Sequence, residues 1–90
     1  MAYTTIDKPT DYFQTELWSS VDTSIDTINF APDWVWIKSR TNADTQVLFD
    51  TVGGANKRLS SSGTTAESTT SDELTAFNSD GYTLGTGSNV

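Results

Sequence analysis

The sequence predicts a small all-β domain, an antiparallel β-sheet or sandwich with one short helical turn near the N-terminus. Thr, Ser, Asn, Gly and Asp are abundant, whereas the good helix formers are scarce over most of the chain. Thr suits a pleated strand, and the other four suit turns. Disorder is the competing interpretation of such a polar, acidic chain. Three Trp, three Tyr and four Phe oppose it, because they need something to pack against.

Ninety residues are enough for one small domain. A domain of this size buries only about 60–65 % of its unfolded surface, so its core is thin. The chain has no cysteine, and neither a disulfide nor a Cys-based metal site can therefore stabilise it. Small domains without such cross-links commonly gain stability from partners. We therefore expect an assembly.

The N-terminal part predicts three strands and the helical turn. Residues 2–6, "AYTTI", alternate as a short strand does. Pro9 fixes φ for a single helical turn that closes at Tyr12 and Phe13. "QTELWSS" and "TSIDTINF" alternate and flank a short polar link, which predicts a hairpin over residues 14–30. Its register is irregular, because Ile28 and Phe30 are out of phase with Ile25.

"WVWIK" is the strongest strand signal in the chain. Trp34, Trp36 and Lys38 share one face, and Val35 and Ile37 share the other. Because both faces are apolar, we expect a central strand that is covered on both sides. The strand after it is "QVLFD", in which alternate apolar residues again share a face.

The C-terminal part predicts two turns and a loop. Gly53 and Gly54 form a two-residue turn before a short strand that ends at Leu59. Residues 60–71, "SSSGTTAESTTS", contain no large apolar residue and predict a flexible Ser/Thr-rich loop. "ELTAFNSDGYTLG" predicts a second hairpin, in which Asp80-Gly81 supplies positive φ.

No catalytic residue, metal site or cofactor is predicted. The chain has no histidine and no cysteine, which removes the usual general base, the usual triads and most zinc and iron sites. "VGGANKR" lacks the spacing of a phosphate-binding loop. "NSDGYT" lacks the repeated ligands of an EF-hand, although a cation held between copies of an oligomer stays open.

Charge and hydropathy exclude two kinds of partner. A net charge of −7 argues against nucleic acid, because phosphate binding needs a basic surface. No apolar run approaches the roughly 20 residues that span a bilayer, and no signal-peptide pattern is present at the N-terminus. We expect a chain that is made in the cytoplasm without a cleaved leader and has no membrane partner.

Two features could support an interface. Trp34 and Trp36 can stack sugars, or they can be buried in the chain or between subunits, and the periodicity favours burial. Four of the five basic residues, Lys38, Arg40, Lys57 and Arg58, lie within one stretch. They either form a patch that meets an acidic patch on a neighbouring copy or make ordinary surface pairs.

The ordered motifs carry a family resemblance. "AYTTIDKPTDYFQT", "PDWVWIKSR", "LFDTVGGANKRL", "TTAE" and "LTAFNSDGYTLG" follow one another in the chain. Together they resemble a domain of unknown biochemical role in virion proteins of tailed bacteriophages, particularly phages of aquatic bacteria. The resemblance covers nearly the whole chain. In longer relatives a "YVAW.WKA" strand follows, often with fibre-like or lectin-like repeats. Residues 1–90 are thus expected to be a single β domain, which is either the N-terminal module of a longer fibre or a short protein that has kept only this module.

The resemblance implies a virion structural protein and not an enzyme. It favours the N-terminal part of a tail fibre, made in the host cytoplasm and located in the virion. The implied partners are other tail, baseplate or capsid proteins and further copies of the chain, with a trimer expected. The alternatives are a capsid decoration (cement) protein and a glycan-binding module for host recognition. The interface candidates are Tyr12, Phe13, Trp18, Trp34, Trp36, Lys38, Arg40, Lys57 and Arg58.

Overall fold

A computed structural model describes residues 9–19 and 23–90 and confirms the all-β class. One 3-10 turn, Pro9–Asp11, lies where the helical turn is predicted. The strands are β1 (Ser24–Ile25), β2 (Trp34–Ile37), β3 (Val47–Asp50), β4 (Lys57–Ser60), β5 (Ser68–Thr69), β6 (Leu74–Asn78) and β7 (Gly81–Leu84). They form two antiparallel sheets with the strand orders β1-β7-β6 and β2-β3-β4-β5. The strand predicted over residues 2–6 lies outside the described residues.

The core forms between the inner faces of the two sheets. The four-stranded sheet contributes alternate residues of β2 and β3, and the three-stranded sheet contributes residues of β6 and β7. The buried apolar side chains are Ile28, Val35, Ile37, Val47, Phe49, Leu74, Tyr82 and Leu84. Burial of such a side chain stabilises the fold by about 1.5–3 kcal/mol. The arrangement is a small sandwich, one of the two forms that the sequence predicts.

Strand β2 lies at an edge, and the prediction of a central strand is wrong. Within the described chain its one neighbour is β3. Val35 and Ile37 are buried, but Trp34 and Trp36 remain 53 % and 59 % exposed. Only the face with Val35 and Ile37 packs into the core of this chain. Core packing therefore does not explain why the opposite face carries Trp34 and Trp36.

In the predicted hairpin over residues 14–30, the described residues 14–19 and 23–30 form one short strand. Residues 14–19 form no regular strand, whereas Ser24 and Ile25 pair with β7. The two segments still meet, but through side chains. Gln14 Nε2 donates to the Thr27 carbonyl oxygen at 3.3 Å, and Thr27 Oγ1 donates to Glu16 Oε1 at 3.2 Å. Side-chain bonds thus replace the predicted ladder.

Two connections also differ from the prediction. The β3–β4 connection spans residues 51–56 and is not a two-residue turn. Asp50 Oδ1 accepts from the Gly53 backbone N–H at 2.6 Å, and left-handed φ angles occur at Gly54 (92°) and Asn56 (68°). Residues 60–71, predicted to be a flexible loop, include the end of β4 and the short strand β5.

The second hairpin is confirmed, but its turn is not the one predicted. β6 and β7 pair over Asn78↔Gly81, so the turn residues are Ser79 and Asp80. Neither Asp80 nor Gly81 has a positive φ. Gly81 is a strand residue of β7, and a close approach to β1 accounts for it. In the described part of the chain, no helix is long and apolar enough to cross a membrane.

Candidate interaction surface

The outer face of the four-stranded sheet carries a row of apolar side chains. Trp36 of β2 lies opposite Leu48 of β3, and Leu48 lies opposite Leu59 of β4. Side chains alternate along a strand, so all three point away from the core, and Trp34 joins them. We call Trp34, Trp36, Leu48 and Leu59 the outer face. Leu59 is exposed and Leu48 is half-buried.

The two tryptophans of the outer face form a tilted pair. Their ring centroids are 6.1 Å apart, and the ring planes make an angle of 44°. Trp36 Nε1 donates to Ser61 Oγ at 3.0 Å, so the indole reaches across β3 to the residue after β4. This bond orients a large ring whose surface stays half exposed. Such a platform can be covered by another protein or by a sugar ring.

Among the described residues, the outer edge of β2 has no partner strand. The Thr51 N–H donates to the Asp33 carbonyl at 3.0 Å, which makes Asp33↔Thr51 a hydrogen-bonded pair. Such pairs alternate along an antiparallel ladder, so Val35 and Ile37 also bond to β3. The N–H and C=O groups of Trp34 and Trp36 therefore point to the free edge. Unpaired strand edges are templates for another strand.

A groove of about 680 Å³ runs along this edge. One wall is β2, and the other includes residues 11–16 with the exposed rings of Tyr12 and Phe13. Its floor includes Trp18 and Tyr82, whose rings meet edge-to-face at a centroid distance of 6.1 Å. Trp18 is thus half-buried against the core and is less available to a partner than Tyr12 or Phe13.

The pKa of Tyr82, on the floor of the groove, is shifted from its usual value. Burial disfavours the phenolate, and the negative charge of Glu16 adds to the effect, so the pKa of Tyr82 is raised to about 12. The phenol of the folded chain therefore stays neutral in the alkaline range where a free tyrosine ionises.

The four predicted basic residues do not form one patch. Ile37 pairs with Val47, and Val47 pairs with Ser60, the last residue of β4. Lys38 follows Ile37 and therefore lies near the opposite end of β4 from Lys57. Lys57 instead donates to Thr69 Oγ1 at 2.8 Å. Arg58 donates to the buried carboxylate of Glu73 at 2.8 Å. Only Lys38 and Arg40 stay together, and they line a second, more polar groove.

Glu73 is a structural residue that the sequence pattern did not indicate. It is 3 % exposed, and its Oε1 accepts from Arg58 and from Asn89 Nδ2, the latter at 2.7 Å. A buried carboxylate needs such partners to stay charged. Leu48 and Leu59 were also missed, because their place beside Trp36 depends on strand pairing that one strand's alternation does not reveal.

The described residues bring together no group of three or more Asp and Glu that could hold a metal ion. The site therefore consists of the outer face, the free edge of β2 and the groove beside it. Its chemistry is that of apolar and aromatic surface with unpaired backbone groups.

Comparison with known proteins gives a family without an assigned activity. No curated protein and no solved structure matches the chain. A family model described as a domain of unknown function, DUF7483, matches residues 8–90, and the chain belongs to this family.

Proposed function

We propose that the chain is a structural component of a bacteriophage virion, the N-terminal docking part of a tail fibre. It acts by burying apolar and aromatic surface against neighbouring virion proteins and performs no chemistry. The observation that carries the proposal is the outer face, where two tryptophans stand half exposed beside Leu48 and Leu59. The resemblance of the ordered motifs to phage virion proteins supports a location in the virion.

The outer face has the composition of an interface. Aromatic residues are enriched where protein surfaces meet, and Trp is the residue that most often dominates the binding energy. Trp36 is also held by its bond to Ser61, so little side-chain freedom is lost when a neighbour covers the ring. Apolar patches of this kind on small proteins commonly mark interaction sites.

A glycan-binding module for host recognition is the second candidate. The same exposed Trp pair favours it, because sugar rings stack on accessible indoles. The two functions predict different exposure of the Trp pair in the assembled particle. Docking covers both rings, whereas glycan binding leaves them accessible at the particle surface.

Replacement of Trp36 by Ala tests the proposal. We expect incorporation of the Trp36→Ala chain into particles to fall about tenfold or more, because a central interface tryptophan is worth at least about 2 kcal/mol. Quantitative immunoblots of purified particles measure it, and a thermal melt of the isolated variant confirms folding.

Val52→Ala is the matched control. Val52 is 96 % exposed and lies in the β3–β4 connection, outside the outer face, so its loss should leave incorporation unchanged. If Trp36→Ala particles contain normal amounts of the chain, the docking proposal fails. If those particles then adsorb poorly to host cells, the glycan candidate takes its place.

A further inference from the structure

We propose that the free edge of β2 pairs antiparallel with the β2 edge of a second copy, which joins two four-stranded sheets into one continuous sheet. This contact joins two copies of the chain and involves no other protein. Its test needs no virion, and it can fail while the proposed docking function stands.

Among the described residues, β3 is the one strand that pairs with β2, and the other edge of β2 has no partner strand. The opposite wall of the groove is held to the segment after β1 and to β7, because Gln14 and Glu16 bond to Thr27 and Trp18 packs against Tyr82. The described residues therefore leave the outward N–H and C=O groups of Trp34 and Trp36 available to another backbone. Strand addition at such an edge is a recurring mode of protein association.

One alignment of the two β2 strands gives the best backbone hydrogen bonds and side-chain pairs. With Trp36 opposite Trp36 of the second copy, Trp34 lies opposite Lys38, and about six backbone hydrogen bonds can form. On the inner side Val35 then meets Ile37, apolar against apolar. Centring the pair on Val35 instead would place Asp33 against Ile37 and Lys38 against Pro32, which has no N–H to donate.

Charge favours the same antiparallel arrangement. Asp33 precedes β2 and Lys38 follows it, so the edge has an acidic end and a basic end. A two-fold axis brings the basic end of each copy to the acidic end of the other. The carbon stem of Lys38, whose ammonium donates to the Ser39 and Asn42 carbonyl oxygens, then lies beside the Trp34 ring. A parallel arrangement would place like charges together.

The symmetry of this contact makes the assembly a dimer. An isologous contact closes after two copies, so a dimer replaces the trimer that the family resemblance implies. The net charge of −7 on each chain opposes association at low salt, and the measurement is therefore made near about 0.15 M ionic strength, where the repulsion is screened.

Single-cysteine variants of the 90-residue chain test the register, because the chain has no cysteine of its own. Residues opposite each other in a hydrogen-bonded pair have Cα atoms about 5.5 Å apart, which suits a disulfide. We expect oxidised Trp36→Cys to run as a covalent dimer on a denaturing gel. Trp34→Cys is the matched control, because its two copies lie about 13 Å apart in this register.

A second test keeps Trp36 in place in case its loss weakens the dimer. Trp34→Cys and Lys38→Cys chains should form a disulfide when mixed, and neither should do so alone. Light scattering of the unmodified chain should give the mass of a dimer. A monomeric or trimeric mass, or cross-linking of Trp34→Cys to itself as readily as Trp36→Cys, would overturn the proposal.

Discussion

Tyr82 is a core residue whose surroundings also shift the pKa of its hydroxyl. Its ring forms part of the core and meets Trp18 edge-to-face, while its strand β7 pairs with both β1 and β6. Burial and the nearby charge of Glu16 raise the pKa of its hydroxyl to about 12. The folded state therefore keeps the phenol neutral at pH values where an unfolded tyrosine ionises.

This raised pKa predicts a loss of stability at alkaline pH. Below pH 10 the phenol is neutral in both states, and the contribution is complete. Between pH 10 and about 12 only the unfolded state releases the proton, so the free energy of unfolding falls by on the order of 2 kcal/mol. Urea denaturation at pH 9 to 12 measures the fall. Tyr82→Phe keeps the ring and should reduce the slope; an unchanged slope would show that Tyr82 is not its source.

At the scale of elements, the close approach of β7 to β1 explains the glycine of the second hairpin. A Cβ at Gly81 would lie 1.6 Å from the carbonyl oxygen of Ile25. Both contacts of that Cβ under 3 Å are with backbone atoms of Ile25, so no side-chain rotation relieves the overlap. The glycine thus lets β1 pair with β7, and a requirement for positive φ has no part in it.

Replacement of Gly81 by Ala should therefore separate β1 from β7. We expect the free energy of unfolding to fall by about 1–3 kcal/mol, as for other overpacked sites. Gly63→Ala is the control, because a Cβ there meets only side-chain oxygens at ordinary contact distances, and its effect should stay within about 0.5 kcal/mol. Equal urea midpoints for the two variants would contradict this explanation.

The sequence predicts which segments form strands better than it predicts which strands pair with each other. Alternation correctly places Val35 and Ile37 in the core and Trp34 and Trp36 on the opposite face. It does not reveal that β2 is an edge strand, because alternation within one strand contains no information about pairing. The row from Trp36 through Leu48 to Leu59 likewise depends on register across three strands. The Glu73–Arg58 pair needs the tertiary fold as well.

At the scale of the whole molecule, the apolar surface is divided between a thin core and an uncovered face. Among the described residues, eight buried apolar side chains form the core, while both tryptophans of β2 stay half exposed. A chain without disulfides gains little from leaving such surface in water. The uncovered face and the edge beside it are the surfaces that we propose contact other chains, both copies and different proteins.

A density map of the intact phage particle tests the central claim most directly. We predict that the domain lies in the tail, with Trp34 and Trp36 covered by a neighbouring virion protein and the outer face turned inward. Absence of the domain from the particle, or both indole rings facing solvent at the particle surface, would contradict the proposed docking function.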